Sequence, residues 1–229
     1  MKTINILILL FCSVTLVVGQ NRETRKLDSF DKLDVFGNIN VEMRQGNEES
    51  VVIKAKNVDL SEIKTEVKDK LLKIHMSSNL FEDDANVEVI LTYKEIREIF
   101  SNASADILVK DKIMGDKLFI DATSGGRIKL NVELNAIELK AYQGAQIDIS
   151  GKSRIQESYI NTGGILSGSN FESDEVFIKM NTGGKAEIIV NKVLNANINT
   201  GADLSYYGNP EKEEIKTSLG GKISAWDKE

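Results

Sequence analysis

The chain of 229 residues is long enough for one domain of about 200 residues or for two small ones. It carries 35 acidic against 29 basic residues, which argues against a nucleic-acid partner, because nucleic-acid binding needs clustered lysine and arginine. A single cysteine excludes a disulfide scaffold, so a hydrophobic core has to hold the fold together.

The first 19 residues have the pattern of a secretory signal peptide. Lys2 precedes the apolar run INILILLFCSVTLVVG, which is short for a membrane span. Val17 and Gly19 are the small residues that signal peptidase needs before a cleavage site, here ahead of Gln20. We therefore predict an exported protein that starts at Gln20 and is located in the periplasm or at the cell surface.

Cys12 suggests a lipid anchor as an alternative. A lipoprotein site has small residues just before its cysteine, whereas Cys12 follows Leu10 and Phe11, so the anchor is the weaker interpretation. Cleavage before Gln20 would remove this cysteine and leave 28 basic and 35 acidic residues, a net charge of −7. No later apolar segment is long enough to span a membrane.

Residues 20–29 are predicted to be a linker, and residues 30–93 a β-rich cap. The segment FDKLDVFGNINVEMRQGNEESVVIKAK alternates apolar and polar residues on both sides of QGNEES, which is typical of a hairpin with a longer loop. A second hairpin is predicted in EIKTEVKDKLLKIHM around KDK, after one helical turn that Asp59 can cap. ANVEVILTY is predicted to be a further strand.

Residues 94–229 contain a repeat that is marked by pairs of small residues. The seven pairs recur at steps of 18 to 21 residues, and such a fixed period is typical of a solenoid. The first members of the pairs are Ser104, Gly125, Gly144, Gly163, Gly183, Gly201 and Gly220. The third residue after each first member is apolar in all seven copies, and the residue after that is polar in six. This is the alternation of a strand with one buried side, kept in phase through seven turns.

The repeat predicts an all-β fold, a parallel β-helix of about seven turns of about 19 residues. By the general preference of parallel connections, the coil should be right-handed. The glycines of NTGG belong to its corners, because glycine permits positive φ and a close approach of successive turns. A ladder of stacked amides is expected at Asn161, Asn181 and Asn199, beside Thr162, Thr182 and Thr200. The ends of a solenoid core are open unless covered, so we expect the cap to cover one end and Trp226 the other.

Several of these segments together resemble a known family. They are FDKLDVFGNINVEMRQG, the VVIKA strand behind it, the hairpin-like IKTEVKDKLLKI and the glycine-paired repeats, and they are similar to the putative auto-transporter adhesin, head GIN domain family of secreted Bacteroidetes proteins. The resemblance covers residues 30–229 and implies an exported, β-helical, adhesin-like protein without known catalytic residues. Ser104 and Ala105 depart from the glycines usual at the first corner, and no segment is long enough for an auto-transporter's translocator barrel.

Motifs for nucleotide binding fail on spacing. Six residues separate Gly144 from the Gly151-Lys152-Ser153 segment, where a phosphate-binding loop needs four. Gly163 and Gly168 have the right spacing, but Ser169 stands where the loop needs lysine. We therefore predict no cofactor.

Motifs for metal or triad chemistry are similarly incomplete. His75 is the only histidine, and it is expected on the outer face of a strand, in contact with solvent. Zinc sites need several histidines or cysteines. Glu82, Asp83 and Asp84 are adjacent rather than alternating, so a solvated acidic loop is favoured over a calcium site. We predict no catalytic and no metal-binding residues.

The leading hypothesis is a non-enzymatic, exported binding or surface-interaction module. The sequence leaves open whether a glycan or a cell-surface protein is bound, and whether the chain forms a homo-oligomer. One alternative is a carbohydrate-active enzyme that uses Asp148 and Glu187, predicted outward acids two strand spacings or about 9 to 10 Å apart, as in an inverting glycosidase. A periplasmic structural or sensing component is the other alternative.

Overall fold

The computed structural model describes residues 21–76 and 85–226. Within them, one coiled sheet of 17 strands and a 3-10 turn at Leu60–Glu62 form the regular structure. The strands are β1 (Asn21–Lys26), β2 (Lys32–Phe36), β3 (Asn40–Gln45), β4 (Ser50–Lys56), β5 (Ile63–Lys68), β6 (Leu71–Met76), β7 (Asn86–Tyr93), β8 (Glu98–Asn102), β9 (Asp106–Val109), β10 (Ile113–Ala122), β11 (Arg127–Tyr142), β12 (Gln146–Asn161), β13 (Ile165–Met180), β14 (Lys185–Ile198), β15 (Asp203–Tyr207), β16 (Lys212–Thr217) and β17 (Lys222–Ala225).

The predicted parallel β-solenoid is confirmed, and so is its register. Strands β11, β12, β13 and β14 pair in parallel with their neighbours, each one coil further along. The apolar column predicted after the corners is continuous, since each member pairs with the next: Ile107, Ile128, Ile147, Leu166, Ala186, Leu204 and Ile223. Its first six members are buried, as a coil with one inward face requires.

The predicted corners are tight turns with two consecutive residues at positive φ. In the NTGG copy at 161–164, Thr162 has φ 48° and Gly163 has φ 71°. The Gly164 N–H donates to the Asn161 carbonyl at 3.0 Å and closes the turn. The Gly163 N–H donates to the Thr182 carbonyl of the next coil, also at 3.0 Å, so the corners bond to one another along the stack. The glycine pairs therefore serve the backbone geometry.

The predicted asparagine ladder is present between two of its three members. The Asn199 side-chain amide donates to the Asn181 side-chain oxygen at 3.2 Å. The Asn161 side-chain oxygen instead accepts from the Thr162 backbone N–H at 2.8 Å. The ladder thus begins one coil later than expected.

A short chain of hydrogen-bonded polar side chains lies within the core. Ser153 and Ser173 hydroxyls lie 2.9 Å apart, and the Ser173 hydroxyl donates to Gln156 Oε1 at 3.1 Å. Gln156 Nε2 then donates to the Ser158 hydroxyl at 2.9 Å. All four side chains are buried, and the mutual bonds offset the cost of removing them from water.

The first predicted hairpin is wrong. Strands β2 and β3 pair in parallel with β8 and β9, so they form the first coil of the solenoid, with Gly37 at its corner. β4 does not pair with β3, because β7 lies between them, parallel to β3 and antiparallel to β4. The error has a physical reason: a coil and a hairpin bury one face of each strand in the same way, so both give the same alternation.

The second predicted hairpin is confirmed. β5 and β6 are antiparallel around Asp69 and Lys70, whose φ angles are 50° and 62°. Asp59 caps the 3-10 turn before β5, since its Oδ1 accepts from the Ser61 N–H at 2.8 Å. β6 pairs in parallel with β2, so this hairpin extends the sheet beyond the first coil.

Trp226 does not close the far end as predicted. Its ring packs against Tyr207, with ring centroids 5.5 Å apart, and its backbone N–H donates to the Tyr206 carbonyl at 2.9 Å. Ile215 and Leu219 of the last coil remain 36% and 81% exposed. The core is therefore uncovered at this end of the described chain.

Candidate binding face

The strands that enter the corners present six aromatic side chains outward on one face of the solenoid. We call this surface the aromatic face, and its rings are Phe36, Phe100, Phe119, Tyr142, Tyr159 and Phe177. The residues that alternate with them, such as Ile99, Ile120 and Ile178, are buried. Because side chains alternate along a strand, burying one set fixes the rings on the outer side. Phe36 and Phe177 are the most exposed, at 39% and 40%.

Rings and ammonium groups are interleaved along the stack. The Phe100 and Phe119 ring centroids lie 5.6 Å apart. Lys140 Nζ lies 4.7 Å from the Phe119 ring centroid and 5.7 Å from that of Tyr159. Lys179, one coil after Tyr159, has its Nζ 5.8 Å from the Tyr159 ring centroid. At these distances the ammonium groups make cation–π contacts, which hold the long lysine side chains across the face.

Carboxylates complete the polar part of the aromatic face. Glu138 contacts Lys140 at 2.9 Å and Lys117 at 3.8 Å. The Glu138 hydrogen bond raises the pKa of the Lys140 ammonium, which therefore stays charged. Burial raises the pKa of the half-buried Asp121 carboxyl, and Lys140 opposes that shift only in part. Burial likewise raises the pKa of the Tyr142 phenol, so this hydroxyl remains protonated and able to donate.

Two open grooves lie on the aromatic face. One, of about 450 Å³, is lined by Arg97, Glu98, Lys117, Phe119 and Glu138. The other, of about 320 Å³, is lined by Glu157, Ser158, Tyr159, Phe177, Ile178, Lys179 and Asn195. Each groove sets an aromatic ring beside charged hydrogen-bonding groups. Such an arrangement suits a ligand with an apolar face and a polar rim.

A groove of about 350 Å³ lies beside the first of these, between residues 93–97 and 113–117, and shares Arg97 and Lys117 with it. Its one ring, Tyr93, is buried, and burial together with nearby Asp111 raises the pKa of the phenol to about 12. Its exposed large apolar side chain is Met114, which is 69% accessible. This groove has no accessible ring among the residues that line it, so the aromatic face is the better candidate site.

The acids predicted for an enzymatic alternative lie on a different face. Asp148 and Glu187 lie in the first parts of β12 and β14, which leave a corner, whereas Tyr159 lies in the last part of β12, which enters the next corner. Ser167 pairs between the two acids, as the sequence predicted. Asp148 Oδ1 accepts from Gln146 Nε2 at 3.1 Å. The structure therefore keeps the two acids two coils apart and away from the aromatic face.

The other predicted residues are distributed as follows. His75 is partly exposed between buried Ile74 and Met76, with Nε2 3.6 Å from Asp34 Oδ2. Glu82, Asp83 and Asp84 lie outside the described residues. In residues 21–76 and 85–226 there is no group of three or more His, Cys, Asp or Glu side chains that could hold a metal ion. The same ranges contain no helix that is long and apolar enough to cross a membrane.

The aromatic face was not predicted from the sequence, because the repeat shows most clearly at the inward positions, three and five residues before each pair. The rings lie at the outward positions between and beside these. Phe100 and Tyr159 come four residues before a pair, Phe119 and Phe177 six, and Tyr142 two. The recurrence of aromatic residues at these even offsets was the available signal.

Fold and surface together define a class of protein, a β-solenoid with a ring-bearing face and an added β cap. The sequence matches the family described as "Putative auto-transporter adhesin, head GIN domain" over residues 29–210, and the chain belongs to this family.

Several solved structures share the fold. A "putative adhesin" from Bacteroides fragilis has a TM-score of 0.81 at 15% identity, covering 91% of this chain and 97% of that chain. A "putative adhesin" from Parabacteroides distasonis has a TM-score of 0.70 at 16% identity, with 91% and 97% covered. A "putative lipid binding protein" from the same species has a TM-score of 0.65 at 16% identity, with 90% and 97% covered. No curated protein matches the sequence.

Proposed function

We propose that the protein is a non-enzymatic, exported binding module whose aromatic face binds an extended polysaccharide. The observation that carries the proposal is the succession of rings on consecutive coils, with Lys140 and Lys179 interleaved. The C–H face of a sugar ring packs on the electron-rich face of an aromatic ring, and sugar hydroxyls bond to flanking carboxylate, ammonium and amide groups.

The repeat suits a polymer better than a single sugar. Successive coils are about 4.8 Å apart, so equivalent side chains recur along the solenoid axis at a constant step. Phe100 and Phe119 belong to adjacent coils, as do Tyr159 and Phe177. A chain lying along the axis would meet several such contacts at once, and each weak contact would add to the affinity.

A glycan array tests this proposal. The wild-type protein should bind one or more polysaccharides, and Tyr159→Ala or Phe177→Ala should weaken that binding at least about tenfold, as for a hot-spot aromatic residue. Tyr207→Ala is the matched control, because Tyr207 is a partly exposed ring outside the aromatic face. Equal loss in all three variants, or no binding by the wild type, would contradict the proposal.

The enzymatic alternative can be distinguished from binding alone, because cleavage of a polysaccharide creates new reducing ends. Incubation of the wild type with the bound polysaccharide should leave the number of reducing ends unchanged. New reducing ends that disappear in Asp148→Asn would instead support cleavage by the acids at Asp148 and Glu187.

Export is part of the proposal and rests on the predicted signal peptide. Protease treatment of intact cells, with a periplasmic protein as control, locates the protein. Cleavage in intact cells indicates a surface module, whereas protection until the outer membrane is opened indicates periplasmic binding and favours the structural or sensing alternative.

A further inference from the structure

The two ends of the solenoid are built differently. At the N-terminal end, Arg25 of the edge strand β1 donates to the Ile63 carbonyl at 2.7 Å and to the Thr65 hydroxyl at 3.0 Å. These bonds tie β1 to β5, which lies at the edge of the other side of the cap. At the C-terminal end, β16 pairs only with β14 and β17 only with β15 within the described chain. One backbone edge of each terminal strand is therefore without a strand neighbour there.

Apolar side chains accompany this open edge. Ile215 pairs with buried Ala196, so it occupies an inward-facing position, and it is nevertheless 36% exposed. Leu219 at the last corner is 81% exposed, and Ile223 is only partly buried. An edge strand with exposed apolar side chains is a template for pairing with another chain.

We propose that this end binds the same end of a second copy, by antiparallel pairing of the two β16 strands about Ile215. The sequence KEEIKT of β16 is self-complementary in that register. Ile215 then faces Ile215, and Glu214 of each copy faces Lys216 of the other. Glu213 faces Thr217, whose hydroxyl can donate to the carboxylate. Opposite charges that face each other across an antiparallel pair stabilise it.

Neighbouring registers are excluded by charge or by geometry. Centring the pair on Glu213, Glu214 or Lys216 places that residue opposite itself, so like charges meet. Centring it between two residues places an inward side chain opposite an outward one, and the two cores then lie on opposite sides of the sheet. Thr217 is the other uncharged inward centre in the strand, but pairing about it places Lys216 opposite Ser218 and Glu214 opposite Gly220. Pairing about Ile215 is therefore the register that brings each Glu214 opposite a Lys216.

The pairing has a consequence for the whole surface. A twofold axis through Ile215 and perpendicular to the sheet joins the entering strands of both copies into one continuous sheet. The two aromatic faces then lie side by side on the same surface. The dimer stands independently of the proposed function, but with a polymeric ligand it would raise the apparent affinity through bivalency.

Sedimentation velocity over about a hundredfold range of protein concentration tests the dimer, because its population follows mass action. The wild type should pass from monomer to dimer. Lys216→Glu places two glutamates opposite each other twice, and should weaken association at least about tenfold. The exchange Glu214→Lys with Lys216→Glu restores the opposite charges and should restore the dimer.

Two controls distinguish weakened association from loss of folding. Lys216 also contacts Glu214 within its own chain at 2.8 Å, so each variant should first be shown to melt as the wild type does. Lys192→Glu removes a similar exposed contact, 2.8 Å to Asp174, away from β16, and should leave association unchanged. A wild type that stays monomeric throughout, or a dimer unaffected by Lys216→Glu, would overturn the proposal.

Discussion

Gly163 and Gly164 stand side by side in one corner and lack a side chain for different reasons. Gly163 has φ 71° and open space where a Cβ would lie. At Gly164 a Cβ would lie 2.2 Å from the Ala141 carbonyl oxygen of the preceding coil. Gly163 is therefore suited to the positive φ of the turn, whereas Gly164 allows successive coils to approach closely.

Substitutions in this corner should separate the two reasons. Gly164→Val should lower the free energy of unfolding by about 3 kcal/mol or more, because the clash is with backbone. Gly163→Asn should cost about 1 kcal/mol or less, since asparagine tolerates positive φ. Thermal or urea unfolding of both variants measures the difference. Equal losses of stability would contradict the claim that Gly164 is needed for the close approach of successive coils.

Asp121 is a residue whose charge opposes folding. Burial raises the pKa of its carboxyl in the folded protein above the ordinary value. The ionised group therefore costs stability at neutral pH, and the cost disappears as the pH falls through the folded-state pKa toward the unfolded one.

Asp121→Asn should accordingly raise the melting temperature at neutral pH, with a difference from the wild type that shrinks in acid. If Asp121 bonds to ligand on the aromatic face, the same variant should bind polysaccharide more weakly. Melting curves at several pH values check the first expectation; a gain in stability that grows in acid would contradict the sign.

At the scale of strands, the register was predictable because burial imposes it. Ile147 pairs with Ile128 on one side and Leu166 on the other, and each of these inward positions is apolar in sequence. The outward positions carry no such constraint, so the aromatic face did not show in the periodic pattern. The partners of β3 were equally hidden, because β7 lies far along the chain and local alternation does not specify which strand comes next to it.

The register itself can be tested in the core column. Ile147→Asp should place an unpaired charge among buried apolar side chains and destabilise the fold by several kcal/mol. Asn170→Asp, at an exposed position that pairs with Ser150 of the preceding coil, is the control and should change stability by about 0.5 kcal/mol or less. Similar melting of both variants and the wild type would mean that the register is misassigned.

For the whole molecule, the solenoid turns a short repeat into a long surface. The corners and core columns hold the coils at constant spacing, and the outward residues of the entering strands supply rings, ammonium groups and carboxylates. Membership of the head GIN family agrees with a binding role, although it does not identify the ligand. The proposed ligand class, an extended polysaccharide, rests on the surface chemistry.

The dependence of affinity on glycan length tests the central claim most directly. Calorimetric titration would use oligosaccharides of increasing length from the polysaccharide that the array identifies. If the aromatic face binds a polymer along the solenoid axis, affinity should rise with length until the face is covered, and Tyr159→Ala should flatten that rise. Affinity that is independent of length, or a rise that Tyr159→Ala leaves intact, would contradict binding along this face.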